Sequence, residues 1–408
     1  MVSTPADEPL RTSGLSQELS QKLDYFGQMI PRCLEHARSA QAQGRPIVGM
    51  MCEFTPRELI MAAGAVPVCM CGGSSRTVPA AEPDLPSNLC PLIKSTYGYR
   101  MLRSNPFMEM ADLIVAETTC DGKKKMYELL GQTRPMYVIE LSQKAESVHS
   151  LKFWENELRR FRLFLQERFN VEVTDDSIRE AIRVMNRERQ LRRQLAQVMQ
   201  ANDPPITGRQ LLDCRSIISG MAEDFTHYQK LFDHLKTQPG GGYGGRTRVL
   251  LTGVPVPHGA ERVVEIIENN GGLIVCFENC SGLKPILEDV DEQIQDPIAA
   301  LAVKYFQVPC SVMTQNDRRM EMIRSMVRQY RPHCVIDLVW HACLTYDIES
   351  TRLRRVVEEE LGLPYLRIDT DYSPSDSARI ATRVAALFES TRSRGSSPMI
   401  NTRTPFSS

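Results

Sequence analysis

Apolar residues recur along this chain in two alternating rhythms. Short runs rich in Val, Ile and Leu suit buried strands, and longer stretches place apolar residues three and four apart, as on one helix face. The runs 45–52, 66–70, 112–117 and 136–140 predict four strands. A helix over 56–63 separates the first two, with Pro56 in its opening turn and Gly64 beyond its end. A second helix is predicted over 122–130. Strands alternating with helices make βαβ units, and hence a parallel sheet. Ahead of the first strand, Leu15, Leu19, Leu23, Phe26, Ile30 and Leu34 share one face of a single long helix reaching about residue 43.

From about 150 to 237 the rhythm is helical throughout, rich in Arg, Glu, Gln and Leu, with a break at Asp203-Pro204-Pro205. The Gly-rich run from Pro239 to Gly245 reads as a flexible linker. The strand–helix alternation then resumes. Strands are predicted over 249–252, 273–278, 334–340 and 365–369, with helices over 260–269, 297–306, 348–361 and 377–389. The predicted architecture is α/β. Two doubly wound parallel-sheet domains of flavodoxin/Rossmann-like type have a helical subdomain between them. The boundaries are a disordered tail 1–14, a first helix and α/β domain 15–149, the helical subdomain 150–238, the linker 239–247, the second α/β domain 248–390 and a polar tail 391–408.

Composition narrows the function classes. Among 408 residues, 49 Lys and Arg face 50 Asp and Glu, so no net field draws the chain to nucleic acid or to a membrane surface. No apolar run reaches the roughly 20 residues of a membrane span, and the first residues lack a secretory h-region. A cytoplasmic protein is expected. Reducing conditions there make the twelve cysteines poor candidates for disulfides.

Six cysteines stand just after an apolar run or at a turn that follows one: Cys52, Cys90, Cys120, Cys280, Cys310 and Cys343. Open α/β sheets build their ligand sites beyond the carboxyl ends of the strands. Thiols gathered there from distant parts of the chain suit a large soft-ligand site, of which iron–sulfur clusters are a common occupant. Zinc and plain core packing stay open as alternatives. The close pairs Cys69/Cys71 and Cys276/Cys280 lack the usual zinc-knuckle spacing, and Cys276 and Cys334 lie within strands as core residues.

Several local patterns add chemistry. Cys120-Asp-Gly-Lys-Lys-Lys places a thiol at a helix start, where free N–H groups and the dipole favour a thiolate or an anionic cluster. Lys123, Lys124 and Lys125 read as a solvated helix start or as a docking patch for an electron donor. Cys90 precedes a proline, and Cys280 sits in a Gly-terminated turn. Glu53, beside Cys52, could deliver protons or be a plain surface acid. His341, two residues before Cys343, could ligate, protonate or be structural. The loop from Gly253 to Gly259 lacks G-x-G-x-x-G spacing, and no P-loop, G-x-S-x-G or H-E-x-x-H motif occurs.

The segments GMMCEFTPRELIMAAGAVPV, DLPSNLCPLIKSTYG, ETTCDGKKKMYE, FENCSG and DTDYS together resemble the 2-hydroxyacyl-CoA dehydratase component D / benzoyl-CoA reductase family, and within it the double-cubane cluster proteins. The resemblance runs from about residue 44 to 387. It implies that Cys90, Cys120 and Cys343 match the three cysteines that hold one [4Fe-4S] cubane in dehydratase subunits, and that Cys52, Cys280 and Cys310 match the three further thiols of members with two cubanes joined by a sulfide, the partition of the six between the cubanes staying open. It leaves Cys33, Cys69, Cys71, Cys214, Cys276 and Cys334 as structural. It further implies a homodimer that takes low-potential electrons from a separate ATP-hydrolysing iron–sulfur reductase and reduces small molecules. The lyase alternative is a 2-hydroxyacyl-CoA dehydratase subunit with one cluster.

Overall fold

The structure, a computed structural model, describes residues 16–395, so the predicted tail 1–14 and most of 391–408 lie outside the described residues. Its frame is two four-stranded, all-parallel sheets. The first joins β1 (Ile47–Met50), β2 (Val66–Cys69), β3 (Leu113–Glu117) and β4 (Met136–Ile139) in the order β2-β1-β3-β4. The second joins β5 (Thr247–Gly253), β6 (Gly272–Glu278), β7 (Cys334–Trp340) and β8 (Tyr365–Thr370) in the order β6-β5-β7-β8. The two orders are the same pattern repeated. β1, β3, β5, β6 and β7 are buried along their whole length, as their unbroken apolar runs require of strands covered on both faces.

All eight predicted strands are present, within a few residues of the expected bounds. The expected long first helix is two, Gln17–Gly27 and Met29–Ala42, broken at Gln28. The two pack into different cores, Leu19 and Phe26 in one with Tyr228 and Leu231, and Met29, Cys33 and Ala37 in another with Ile47 and Val68 of the first sheet, while Tyr25 and Arg32 both bond to Asp224 in the helix Ala222–Leu235. The helix Pro91–Met101 has no counterpart in the sequence reading. Every residue from Pro91 to Gly98 is buried, so it carries no amphipathic stripe to read. The last helix, Ser377–Gly395, runs into the expected tail.

The region between the sheets is helical as expected, led by Val148–Phe169 and Asp175–Gln197. The Gly-rich segment beyond it is held in place, since Asp203 accepts from Gly242 N at 3.0 Å and from Tyr243 N at 2.6 Å. A strand segment follows the short helix Gly208–Asp213. There Ile218 bridges antiparallel to Val68, and Cys69 N donates to Ile217 O at 2.7 Å. This lays residues 215–219 along the edge of the first sheet. The two α/β units meet directly: Tyr372 OH donates to Gly72 O at 3.1 Å.

Candidate active site

The site follows from strand order. In β2-β1-β3-β4 the connections leave β1 and β3 toward opposite edges, which opens a crevice beyond their carboxyl ends. Cys52 lies two residues past β1, and Cys120 caps the helix Asp121–Gly131 that follows β3. In the second sheet Cys280 follows β6 and Cys343 follows β7. The two crevices face each other across one cavity of about 940 Å³, lined by Cys52, Cys90, Cys120, Cys280, Cys310 and Cys343.

Two of the six reach the cavity by other routes than a strand end. Cys90 is the N-cap of the buried helix Pro91–Met101, its ψ of 130° set by the proline that follows. Cys310 lies in the loop after the helix Pro297–Phe306, where Asn316 donates to its carbonyl at 2.9 Å. The apolar run before Cys310 is thus helix and loop, not strand. Cys69 and Cys71, read from sequence as structural, also line the cavity. Cys33, Cys214, Cys276 and Cys334 are buried, and none of them is on the cavity wall.

Electrostatic neighbours link the thiols across the cavity. Cys90 and Cys343 share a hydrogen bond that holds Cys90 below the ordinary thiol range and Cys343 above it, with Cys120 adding to the rise of Cys343. Burial raises Cys120 itself, and both Cys90 and Cys310 add to that. Cys52 is raised by burial, opposed by Lys123 and reinforced by Glu117, Cys310 and Cys280. Burial pushes Cys280 up to about 12, with Cys310 adding to it. Among the described residues no three His, Cys, Asp or Glu side chains close on a point as a single ion would need. The thiols instead rim a space.

The surroundings suit a sulfur-rich anionic group. Thr119 Oγ1 and Asn279 Nδ2 are buried without a hydrogen-bond partner, and each belongs to the residue preceding a cavity cysteine. Donors in that position can bond to cluster sulfurs and tune their potential. Lys123 points inward, with Nζ donating to Met51 O at 2.9 Å. Burial works against its charge, but Tyr127 and the thiols of Cys52, Cys71 and Cys120 outweigh that and raise it. The expected lysine patch is therefore split. Lys123 and Lys124 both line the cavity, Lys124 paired with Asp121 at 2.7 Å, while Lys125 is off the wall and pairs with Glu128 at 2.6 Å.

The two candidate proton donors part company. Glu53 lines the cavity and accepts from Arg57. His341 does not line it; its ring is half exposed, 3.5 Å from Asp369, and its backbone N donates to Thr370 O. An acid that the sequence reading passed over lies behind the site. Glu117 ends β3 fully buried, accepts from the Thr55 hydroxyl, and leaves Oε2 without a partner. Burial pushes its carboxyl up to about 7. The available signal was an acid closing an otherwise apolar parallel strand, where burial on both faces is the rule.

The model of the family described as 2-hydroxyglutaryl-CoA dehydratase, D-component, matches residues 52–391. YjiM of Escherichia coli (strain K12), whose name places it provisionally among dehydratase subunits, is 40% identical over 356 residues, covering 85% of this chain and 92% of YjiM. The beta subunit of (R)-2-hydroxyglutaryl-CoA dehydratase from Acidaminococcus fermentans is 21% identical, covering 86% of this chain and 93% of its own. A benzoyl-CoA reductase subunit from Thauera aromatica is 25% identical over 36% of this chain and 38% of its own.

Proposed function

This chain belongs to the 2-hydroxyglutaryl-CoA dehydratase D-component family, and from that premise we propose that it is an iron–sulfur redox enzyme holding two [4Fe-4S] cubanes joined by a sulfide. One observation supports the reading: six thiols line one cavity, twice the three of the family group matched by Cys90, Cys120 and Cys343, with Cys52, Cys280 and Cys310 as the further group. A single cubane would use only one group. Such clusters, when bound, supply electrons one at a time at low potential.

The chain's own residues then have distinct tasks. The cysteines bind, and Lys123 offsets their negative charge from within the cavity. Glu53, fixed by Arg57, presents a carboxyl to a substrate in the cavity as its proton donor. Glu117 stands behind as a buried acid that holds a proton near neutral pH. No helix among the described residues is long and apolar enough to cross a membrane. The partners in this reading are an ATP-hydrolysing iron–sulfur reductase as electron donor and a second copy of the chain, acting in the cytoplasm.

A lyase reading is favoured by the names of the relatives: a 2-hydroxyacyl-CoA dehydratase subunit with one [4Fe-4S] cluster on Cys90, Cys120 and Cys343. Anaerobic iron and sulfide assays of the purified chain separate the two. About eight irons per chain support the bridged pair, and about four support the single cubane. An iron-free protein overturns both.

A further inference from the structure

We propose that Arg57, Arg192 and Arg215 form an anion-binding subsite on the cavity wall, and that the molecule bound there carries a small carboxylate or another planar oxoanion. The inference rests on the redox reading above and names its substrate class. The three arginines come from three separate elements yet line the same cavity. Arg57 begins the helix Arg57–Ala62, Arg192 lies in Asp175–Gln197, and Arg215 lies in the segment paired to the edge of β2.

The carboxylate partners of Arg192 and Arg215 lie off the cavity wall, while Glu53, the partner of Arg57, shares it. Glu188 and Glu261 are not on the cavity wall, and they stand 3.6 Å from Arg192 and 3.8 Å from Arg215. Both separations are beyond a good hydrogen bond. Arg215 Nη1 is anchored to Val256 O at 2.8 Å. Arg57 is about nine-tenths buried, pairs with Glu53 through Nη2, and keeps a buried Nε with no partner. A guanidinium carries five donors in a rigid fork and is costly to bury half-satisfied. Burial does hold Arg215 below the ordinary arginine range, and Arg192 adds to the effect. A planar oxoanion seated among the three would accept the idle donors in bidentate fashion and remove the repulsion.

The same hydrogen bonds place the subsite beside one thiol group. Val256, which anchors Arg215, exchanges two hydrogen bonds with Ser281, the residue after Cys280. Arg57 holds Glu53, the residue after Cys52. An anion bound by these arginines therefore lies toward Cys52 and Cys280, with the Glu53 carboxyl at hand.

The test uses the full-length, anaerobically purified holoprotein and two probes, acetate and oxalate, at matched ionic strength. Calorimetry should show saturable binding. Arg192→Gln and Arg215→Gln should weaken it about tenfold or more, the scale of one lost charge-assisted hydrogen bond, with iron and sulfide per chain unchanged. In the wild-type protein, oxalate should slow phenylglyoxal modification of Arg192 and Arg215, a readout that needs no variant to fold. Absence of saturable binding, absence of protection, or equal binding by the variants overturns the subsite. Variants that lose iron while oxalate gives no protection also overturn it, and assign the guanidiniums to balancing cluster charge. A wild-type protein without iron overturns the redox reading, while the protection result still judges the subsite.

Discussion

Arg189 and Glu58 form an ion pair at 2.5 Å with side chains only 3% and 0% exposed. Glu58 also accepts from Tyr305 OH at 2.7 Å. The acid comes from the helix Arg57–Ala62, the arginine from Asp175–Gln197 and the tyrosine from Pro297–Phe306, so one carboxylate clamps three elements far apart in sequence. Burial alone would raise Glu58, but Arg189 and Tyr305 outweigh it and hold its carboxyl below the usual range. This clamp lies one residue from Arg57 and so braces the cavity wall.

Removing one partner should therefore cost more than removing both. Glu58→Ala leaves Arg189 buried and uncompensated, a loss of about 3–5 kcal/mol. The double variant Glu58→Met/Arg189→Met should recover most of it. Thermal and urea unfolding of the three proteins decide the point; a double variant as weak as the single one contradicts the clamp.

Both thiol groups should be needed for full iron content. Cys343→Ser and Cys310→Ser, one from each group, should each lower iron and sulfide per chain well below wild type. Cys276→Ala, inside β6 and off the cavity wall, should leave them unchanged. If Cys310→Ser retained the full wild-type iron content, Cys310 would drop out of the ligand set.

Gly98 holds the helix that presents Cys90. A Cβ there would meet Thr77 O at 1.9 Å, with no flexible side chain to yield. Gly98→Ala should cost about 1–3 kcal/mol and lower iron content together with the melting temperature. Gly131→Ala is the control, because its nearest neighbour is Met136 Sδ at 3.9 Å. It should be neutral or stabilising by up to about 1 kcal/mol, since alanine is the better helix former.

Glu268 gives a pH signature far from the thiols. It is buried and accepts from Gly208 N at 2.8 Å, Arg209 N at 3.1 Å and Ile274 N at 3.2 Å. Burial nevertheless pushes its carboxyl from 4.5 up to about 7. The folded state then binds this proton more tightly than the unfolded state does, so stability falls as pH rises between those values and levels off above. Relative to Glu268→Gln, the wild type should lose roughly 1.4 kcal/mol per pH unit across that window. Melting curves of both proteins from pH 4.5 to 8 check it; a constant difference contradicts it.

Periodicity alone carried the strands, both parallel sheets and most helices, because strand and helix spacing are local properties of apolar residues. Ser150 to Leu235 read as helical for the same reason. The places where reading failed are those where burial hides the pattern. Helix Pro91–Met101 is buried all round, so no stripe marks it. The long first helix breaks at Gln28, and its two parts pack into different cores built from residues far along the chain.

The chemistry divides in the same way. Six cysteines were legible as a set because turns and strand ends punctuate the sequence and because a known family shares their spacing. Their meeting on one cavity wall was not legible, since it depends on how two crevices face each other. Cys69 and Cys71 read as structural, and in the folded chain both line the cavity. His341 read as a site residue but turns to Asp369 and solvent. Lys125 turns off the wall that Lys123 and Lys124 line, which sequence adjacency cannot express. Glu117 became an acid of raised pKa only because β3 is covered on both faces. Residue types and their order thus determined the folds and the inventory of thiols. Which side chains share one desolvated space is a property of distant segments brought together, and only the tertiary structure decided it.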